Sequence, residues 1–155
     1  MEATAEQSRR VLVAVDGSKS SQSAMDFYLN EVQRPNDVVL LVHMFDAPSP
    51  PAVSLRHPSP EPWDEWRERV DIKLKEVREM MKSHERACDQ HNLKQKVIIH
   101  TGNPGEGICK IVDEYKPIMV VMGSRGLNLL RRTFMGSVSS YVLHHVDIPV
   151  VIIPQ

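Results

Sequence analysis

The 155-residue sequence has few cysteines, no long hydrophobic run and almost no net charge, and each absence narrows the choice of protein class. Its two cysteines, Cys88 and Cys109, cannot build a disulfide framework and form no Cys-x-x-Cys pair, so a reducing cytoplasm is the expected location. No segment reaches the roughly 18 apolar residues of a membrane span, and the polar first ten residues do not resemble a signal peptide. A formal net charge of −1 gives no overall attraction to nucleic acid or membranes.

Several signatures of nucleotide and acyl chemistry are also missing. The sequence holds no Gly-x4-Gly-Lys-Ser/Thr phosphate loop and no Gly-x-Ser-x-Gly nucleophile elbow. Cys109 lies in a predicted helix without a neighbouring histidine, and no pair of carboxylates is suited to general acid–base chemistry. These absences favour a binding protein over an enzyme.

The composition is that of a soluble globular protein, with 41% hydrophobic and 25% charged residues. The length suits one domain with a substantial core. We predict a single domain at residues 10–155, preceded by a flexible tail at residues 1–9.

Short apolar runs alternate with helical patterns along the chain. The apolar runs predict five strands, at residues 11–15, 38–45, 97–100, 118–122 and 150–153. Helical patterns follow Ser18, span residues 63 to about 91, follow the Asn103-Pro104 cap, and span residues 137 to about 146. The segment 46–62 holds six prolines and is predicted to be a surface loop. This order predicts a parallel sheet with helices on both faces.

The helical spacing also predicts which side chains face the core. On the first helix the predicted inward residues are Ala24, Phe27, Tyr28 and Val32. On the long helix they are Trp63, Trp66, Val70, Leu74, Val77, Met81 and either Ala87 or Cys88. A partner-binding patch is the alternative interpretation of the two tryptophans.

A glycine-rich segment follows the fourth predicted strand and carries the strongest functional signal. Gly123 ends the strand, Gly126 follows after two residues, and Gly136-Ser137 follows after nine more. Glycine lets the backbone approach a ligand closely, and the first amides of the next helix attract an anion. Three arginines add positive charge to the same segment: Arg125, Arg131 and Arg132. The pattern predicts a phosphate-binding site.

Four residues stand at the carboxyl ends of different predicted strands: Asp16, Met44, Gly102 and Gly123. In open parallel sheets, ligands bind at this end, where the winding direction reverses. We therefore expect these residues to border one site.

Three motifs occur in one order along the chain: Val-Leu-Val-Ala-Val-Asp-Gly-Ser at 11–18, Leu-Val-His-Met at 41–44, and Gly-x2-Gly-x9-Gly-Ser at 123–137. Together they resemble the universal stress protein family from about residue 10 to residue 154. The glycine spacing resembles the ATP-binding subgroup, and the surrounding residues look like those of eukaryotic members. The resemblance implies a flavodoxin-like or Rossmann-like fold with five parallel strands in the order 3-2-1-4-5.

The resemblance also implies roles for individual residues. Asp16 reaches the ribose or base of ATP or AMP, and Ala14, Met44 and Met122 surround the adenine. The phosphates, with any Mg²⁺ and its water shell, are held by the glycine segment: Gly123, Arg125, Gly126, Gly136, Ser137, Val138 and Ser139. Two positions depart from many members, which carry proline in place of Ala14 and an acid in place of Ser140.

By resemblance, the protein is a stress-response regulator that binds an adenine nucleotide and signals to an unknown protein partner. A homodimer is expected to form through the last strand: Val150, Val151, Ile152 and Ile153. Two alternatives remain open. One is a slow ATPase in the same cleft, and the other is an interaction module without nucleotide that uses Trp63, Trp66 and the proline-rich loop.

Histidines offer a further alternative, a metal site. His84, Cys88 and His91 follow one another at helical spacing and could bind zinc or copper. The same positions extend the apolar stripe of the long helix, so we interpret them as helix surface touching the core. His43 and His100 lie in predicted strands and are interpreted as core or rim histidines with satisfied hydrogen bonds. The adjacent His144 and His145 point in different directions on a helix and do not suit a shared metal.

Overall fold

The computed structural model describes residues 8–52, 61–124 and 135–154. Five strands alternate with helices: β1 (Arg10–Ala14), α1 (Lys19–Phe27), a π-helical segment (Tyr28–Val32), β2 (Val38–Phe45), α2 (Glu61–Gln90), β3 (Lys94–Thr101), α3 (Pro104–Tyr115), β4 (Met119–Gly123), α4 (Ser137–His145) and β5 (Val150–Ile153). None of the described helices is both long and apolar enough to cross a membrane.

The five strands form one parallel sheet in the order β3-β2-β1-β4-β5, which confirms the predicted topology. The central strand, β1, pairs with β2 on one side and β4 on the other, so that Val11 lies opposite both Val39 and Met119. Val11, Leu12 and Val13 are completely buried. Burial on both faces explains why this strand reads as a continuous apolar run.

The side chains of β1 alternate between two cores. Val11 and Val13 pack with α1 and α2 on one face of the sheet. Leu12 and Ala14 pack with α3 and α4 on the other face. Helices therefore cover both faces, as predicted.

Two predicted helix caps are confirmed. The hydroxyl of Ser18 accepts the amide of Ser21 at 3.1 Å at the start of α1. The side chain of Asn103 accepts the amide of Glu106 at 3.2 Å, with Pro104 at the first position of α3. Both caps lie at the carboxyl end of the sheet, where they fix how the chain leaves β1 and β3.

Several element boundaries differ from the prediction. Helix α2 begins at Glu61, ahead of the predicted residue 63. Pro62 is compatible with this start because it falls in the first turn, where proline costs no hydrogen bond. The predicted loop therefore ends earlier than residue 62, and its residues 53–60 lie outside the described residues. Strand β3 begins at Lys94, ahead of the predicted 97, and ends at Thr101. Its first residues are polar because β3 is the edge strand of the sheet.

Strands β1 and β4 are each displaced by one residue from the prediction: β1 starts at Arg10 and ends before Val15, and β4 ends on Gly123. The end of α1 also differs, because Phe27 is 37% exposed whereas Tyr28 is fully buried. The helix changes to π-helical geometry at Tyr28, and this wider turn brings Tyr28 and Leu29 into the core.

The long helix confirms part of its predicted stripe. Val77, Met81 and Cys88 are buried, and Ala87 is only partly so. Trp63 is 37% exposed, packs edge-to-face on Trp66, and does not belong to the core. The indole of Trp66 donates to the carbonyl of Pro48 at 2.9 Å, so this tryptophan fastens the start of the proline-rich segment to α2.

A buried ion pair joins the chain ahead of β1 to the turn before β2. Arg9 donates to both oxygens of Asp37, at 2.6 and 2.7 Å, and the hydroxyl of Tyr28 donates to Asp37 at 2.9 Å. Burial opposes ionisation of Asp37, but hydrogen bonds from Arg9, the Arg34 amide and Tyr28 outweigh it and hold its pKa below the ordinary value. The tail at residues 1–9 stays a prediction, since residues 1–7 lie outside the described ranges.

Candidate functional site

The winding of the sheet reverses between β1 and β4. The connection through α1 carries the chain from β1 to β2, and the connection through α3 returns it across the opposite face to β4. In open parallel sheets, ligands bind at such a point, outside the carboxyl ends of the two central strands, and we call this region the crevice. Asp16 follows β1 here, and Gly123 ends β4.

The three residues predicted to surround a base lie on one face of the sheet. Ala14, Met44 and Met122 all belong to the core that faces α3 and α4, and each lies at the carboxyl end of its strand. The end of the Met44 side chain packs closely on α3, since a Cβ at Gly107 would lie only 2.2 Å from its Cε. The structure therefore brings these three residues to one face of the sheet at its carboxyl end, and we call this set the apolar wall.

Asp16 has a local structural role. One of its carboxylate oxygens accepts the amide of Ser18 at 2.9 Å, and its own amide donates to the hydroxyl of Ser21 at 3.3 Å. These bonds fix the half-buried carboxylate at the mouth of the crevice. No donor among the described residues contacts its second oxygen, which can accept a hydroxyl from a ligand.

Gly123 is a glycine for a packing reason that the sequence pattern did not reveal. A Cβ at this position would lie 2.3 Å from Oγ of Ser20 and 2.7 Å from its carbonyl carbon, in the first turn of α1. The contact places α1 directly on β4. Ser20, which the sequence analysis missed, also donates from its hydroxyl to the carbonyl of Ile153 at 3.2 Å.

Ser124, also missed, connects β4, β5 and the start of α4. Its amide donates to the carbonyl of Ile153 at 2.8 Å. Its carbonyl accepts the amide of Gly136 at 2.5 Å and the buried hydroxyl of Ser139 at 3.1 Å. The hydroxyl of Ser139 also contacts the carbonyl of Gly136 at 3.0 Å. The first turn of α4 is therefore clamped to the end of β4.

This clamp occupies one donor on each of two residues that are predicted to hold a phosphate, Gly136 and Ser139, and does not involve the amide of Ser139. The amide of Gly136 and the hydroxyl of Ser139 are committed within the protein, so neither is a donor to a phosphate in this arrangement. Helical hydrogen bonding starts with the Ser140 amide, which donates to Gly136 at 2.9 Å. The amides of Ser137 and Val138 find no acceptor among the described residues, and Ser137 is exposed. Amides at the start of a helix that have no acceptor in the protein are the kind of group that can bind an anion.

The rest of the predicted phosphate segment lies outside the described residues: Arg125, Gly126, Arg131 and Arg132. Ser20 and Ser124 carried no recognisable motif, because their importance depends on contacts with residues far away in the chain. The only local signal was the run of small residues around each of them.

The predicted alternative metal site does not assemble. Burial lowers the pKa of His84 and raises the pKa of Cys88 to about 12, which suits neutral core side chains. His91 is exposed and donates from Nδ1 to the carbonyl of Ala87 at 2.9 Å. Within residues 8–52, 61–124 and 135–154, no three histidine, cysteine or acidic side chains gather as metal ligands.

His43 is a satisfied core histidine, as predicted, because its Nδ1 donates to the carbonyl of Val15 at 2.8 Å. His144 and His145 contact the carbonyls of Ser140 and Tyr141, four residues earlier in α4. Each of these three rings therefore has a backbone carbonyl as the hydrogen-bond partner of its Nδ1.

A separate cavity of about 260 Å³ lies at the opposite end of the sheet. It is lined by the last turns of α3 and α4 and the residues after them, among them Cys109, Lys116, His145 and Asp147. Burial raises the pKa of the Cys109 thiol, which makes it a poor nucleophile. None of the predicted site residues lines this cavity, so we place the candidate site in the crevice, where the strand ends and helix amides converge.

The motifs and the switch-point crevice agree with a comparison of the whole chain to known families. The sequence profile of the universal stress protein family matches residues 7–154. The chain belongs to this family. A universal stress protein A-like protein of Arabidopsis thaliana is 28% identical over 160 residues, covering 94% of this chain and 90% of the relative.

Solved universal stress proteins share the fold. The UspA protein of Lactobacillus plantarum superposes with a TM-score of 0.76 at 22% identity, covering 94% of this chain and 97% of the other. A family member from Arabidopsis thaliana with AMP bound superposes with a TM-score of 0.62 at 24% identity, covering 95% and 92%. A universal stress protein in complex with cAMP superposes with a TM-score of 0.63 at 18% identity, covering 94% and 95%.

Proposed function

We propose that this universal stress protein binds an adenine nucleotide, ATP or AMP, in the switch-point crevice and regulates a partner according to its occupancy. The AMP and cAMP complexes of family members support the ligand class. The observation that carries the proposal for this chain is the clamped start of α4, where the amides of Ser137 and Val138 have no acceptor among the described residues.

The crevice offers a matching group for each part of a nucleotide. The wall formed by Ala14, Met44 and Met122 takes the base, and the second carboxylate oxygen of Asp16 accepts a ribose hydroxyl. The helix amides take a phosphate, where the helix dipole favours negative charge. Gly123 and Gly136 mainly shape the backbone of the site. Gly123 allows α1 to approach β4, and Gly136 is the N-cap of α4.

A magnesium ion in this proposal is held through the nucleotide. Mg²⁺ usually keeps several water ligands and binds nucleotide phosphates with one or two carboxylates. Asp16 is the acidic side chain that the described residues place at the crevice, and the proposal assigns it to the ribose. We therefore expect Mg²⁺ to bind through the phosphates of the nucleotide. For a ligand without phosphates, such as adenosine, Mg²⁺ should not change the affinity.

The proposal includes a homodimer through β5. This strand pairs with β4 on one side and is the last in the sheet. The carbonyls of Pro149 and Ile153 accept amides from the β4 side, so alternation turns the backbone groups of Ile152 to the open edge. An open apolar edge strand of this kind pairs readily with a second copy.

The phosphate end of the site is tested by two substitutions at Ser137. Ser137→Pro removes the amide donor at the first position of α4, where proline is well tolerated, and Gly136 already has the extended conformation that precedes proline. Ser137→Ala is the matched control, because it removes only the hydroxyl. Hydrogen bonds to charged groups contribute about 1.5–3 kcal/mol, so the proline variant should bind AMP and ATP roughly 10- to 150-fold more weakly.

Adenosine separates this effect from general damage. We expect the affinity for adenosine, measured by calorimetry, to be the same in wild type and Ser137→Pro, since adenosine has no phosphate. If the proline variant binds AMP and ATP as tightly as wild type, the helix amides do not hold the phosphate. A slow ATPase would bind in the same way, and release of inorganic phosphate above the buffer background would identify it.

A further inference from the structure

A histidine stands beside the apolar wall and has no role in the site described above. His100 lies in β3 directly opposite Met44 of β2. Paired residues of neighbouring parallel strands point to the same face, so His100 and Met44 are neighbours on the α3 side. Gly107 of α3 confirms this, because a Cβ there would lie 2.2 Å from Cε of Met44 and 3.6 Å from Nδ1 of His100.

The ring of His100 is held in one orientation. Its Nδ1 donates to the carbonyl of Thr101 at 2.7 Å. A carbonyl can only accept, so the proton of the neutral ring is on Nδ1 and Nε2 is left as a hydrogen-bond acceptor. This fixes the chemical character of the side chain that borders Met44.

The residues that follow His100 leave space open at the carboxyl end of β3. Thr101 and Gly102 are exposed at the carboxyl end of β3, and a Cβ at Gly102 would meet no atom within 4 Å. His100 itself is half-buried, so part of this residue is reachable from solvent. The acceptor thus belongs to a partly exposed residue at the carboxyl end of the sheet, the same end as the crevice.

We propose that His100 selects the base, by accepting a hydrogen bond at Nε2 from the exocyclic amine of a nucleotide whose base lies on Met44. The inference rests on the proposed function, because it assumes that the wall of Ala14, Met44 and Met122 takes the base. Adenine carries the amine as a donor. Hypoxanthine carries a carbonyl oxygen at the same position, and two acceptors facing each other repel. His100 therefore favours AMP over inosine monophosphate.

The test compares the dissociation constants of AMP and inosine monophosphate for wild type and three variants by calorimetry. A neutral hydrogen bond of this kind contributes about three- to tenfold in affinity. His100→Ala should weaken AMP binding by about that factor and should not weaken the binding of inosine monophosphate, because it removes the repulsion between the two acceptors. His100→Gln should keep the affinity for AMP, because its amide oxygen also accepts, but should reduce the preference, because its amide nitrogen can donate to the carbonyl of hypoxanthine. His91→Ala, at an exposed histidine after α2, is the matched control and should change neither constant.

The outcomes separate this inference from the proposed function. Equal weakening of both nucleotides by His100→Ala would mean that the ring only packs on Gly107, and the inference would be wrong. Wild type that binds both nucleotides equally well would also overturn it, while the proposed function survives. Wild type that binds neither nucleotide would overturn both.

Discussion

The replacement of Gly123 by alanine tests how the crevice is built. The new Cβ would lie 2.3 Å from Oγ of Ser20, 2.7 Å from its carbonyl carbon and 2.8 Å from its Cβ. The hydroxyl can rotate away, but the other two atoms are fixed by the first turn of α1, so α1 and β4 must separate. Overpacking of this kind costs about 1–3 kcal/mol. For a domain of this size, Gly123→Ala should lower the melting temperature by roughly 2–12 °C.

The assay is thermal unfolding monitored by circular dichroism. It is applied to the single variants and to Gly123→Ala combined with serine replacements in α1. Ser20→Gly removes two of the three close atoms, so adding it to Gly123→Ala should cost less than the sum of the single effects. Ser23→Gly is the matched control, because Ser23 is exposed in the same helix and reports the cost of glycine alone, about 0.5–1 kcal/mol. That combination should be additive.

Two results would refute this reasoning. One is a melting temperature of Gly123→Ala within about 1 °C of wild type, which would show that no close contact exists. The other is equal additivity for Ser20→Gly and Ser23→Gly, which would show that Ser20 is not the residue in contact.

Two further predictions concern Asp37 and β5. Asp37→Asn should destabilise the protein by about 3 kcal/mol near neutral pH, because it leaves Arg9 without its buried partner. The folded pKa of Asp37 is lowered, so its contribution is present above the unfolded pKa and is lost as pH falls through the folded pKa. In urea unfolding, the gap between wild type and variant should narrow below about pH 4, and a constant gap would contradict this. Ile152→Pro should leave the monomer folded but abolish the proposed dimer in light scattering; a dimeric proline variant would place the interface elsewhere.

Most of the fold could be predicted because the central strands are buried on both faces. β1, β2 and β4 read as continuous apolar runs, and alternation with helices then restricts the sheet to few topologies. The edge strand β3 was predicted too short, because its exposed start at Lys94 is polar and is ordered by pairing with Val38. That pairing is a tertiary contact, which a local pattern does not contain.

The candidate site could be predicted in position but only partly in role. Strand ends and glycine spacing placed the crevice residues, since both are local features. The packing of Gly123 on Ser20 and the clamp from Ser124 to Gly136 and Ser139 depend on how α1, β4 and α4 meet. The sequence therefore predicted Gly123, Gly136 and Ser139 only as phosphate contacts and predicted no role for Ser20 and Ser124. In the structure these five residues join α1, β4 and the start of α4.

The measurement that tests the central claim most directly is the identity and affinity of the bound nucleotide. Freshly purified protein is denatured, any released nucleotide is identified by mass spectrometry, and AMP and ATP with Mg²⁺ are then titrated into the protein by calorimetry. We predict a released adenine nucleotide, or a dissociation constant in the micromolar range for AMP or ATP. Protein that releases no nucleotide and gives no heat at millimolar AMP or ATP would contradict the account, and would favour an interaction module.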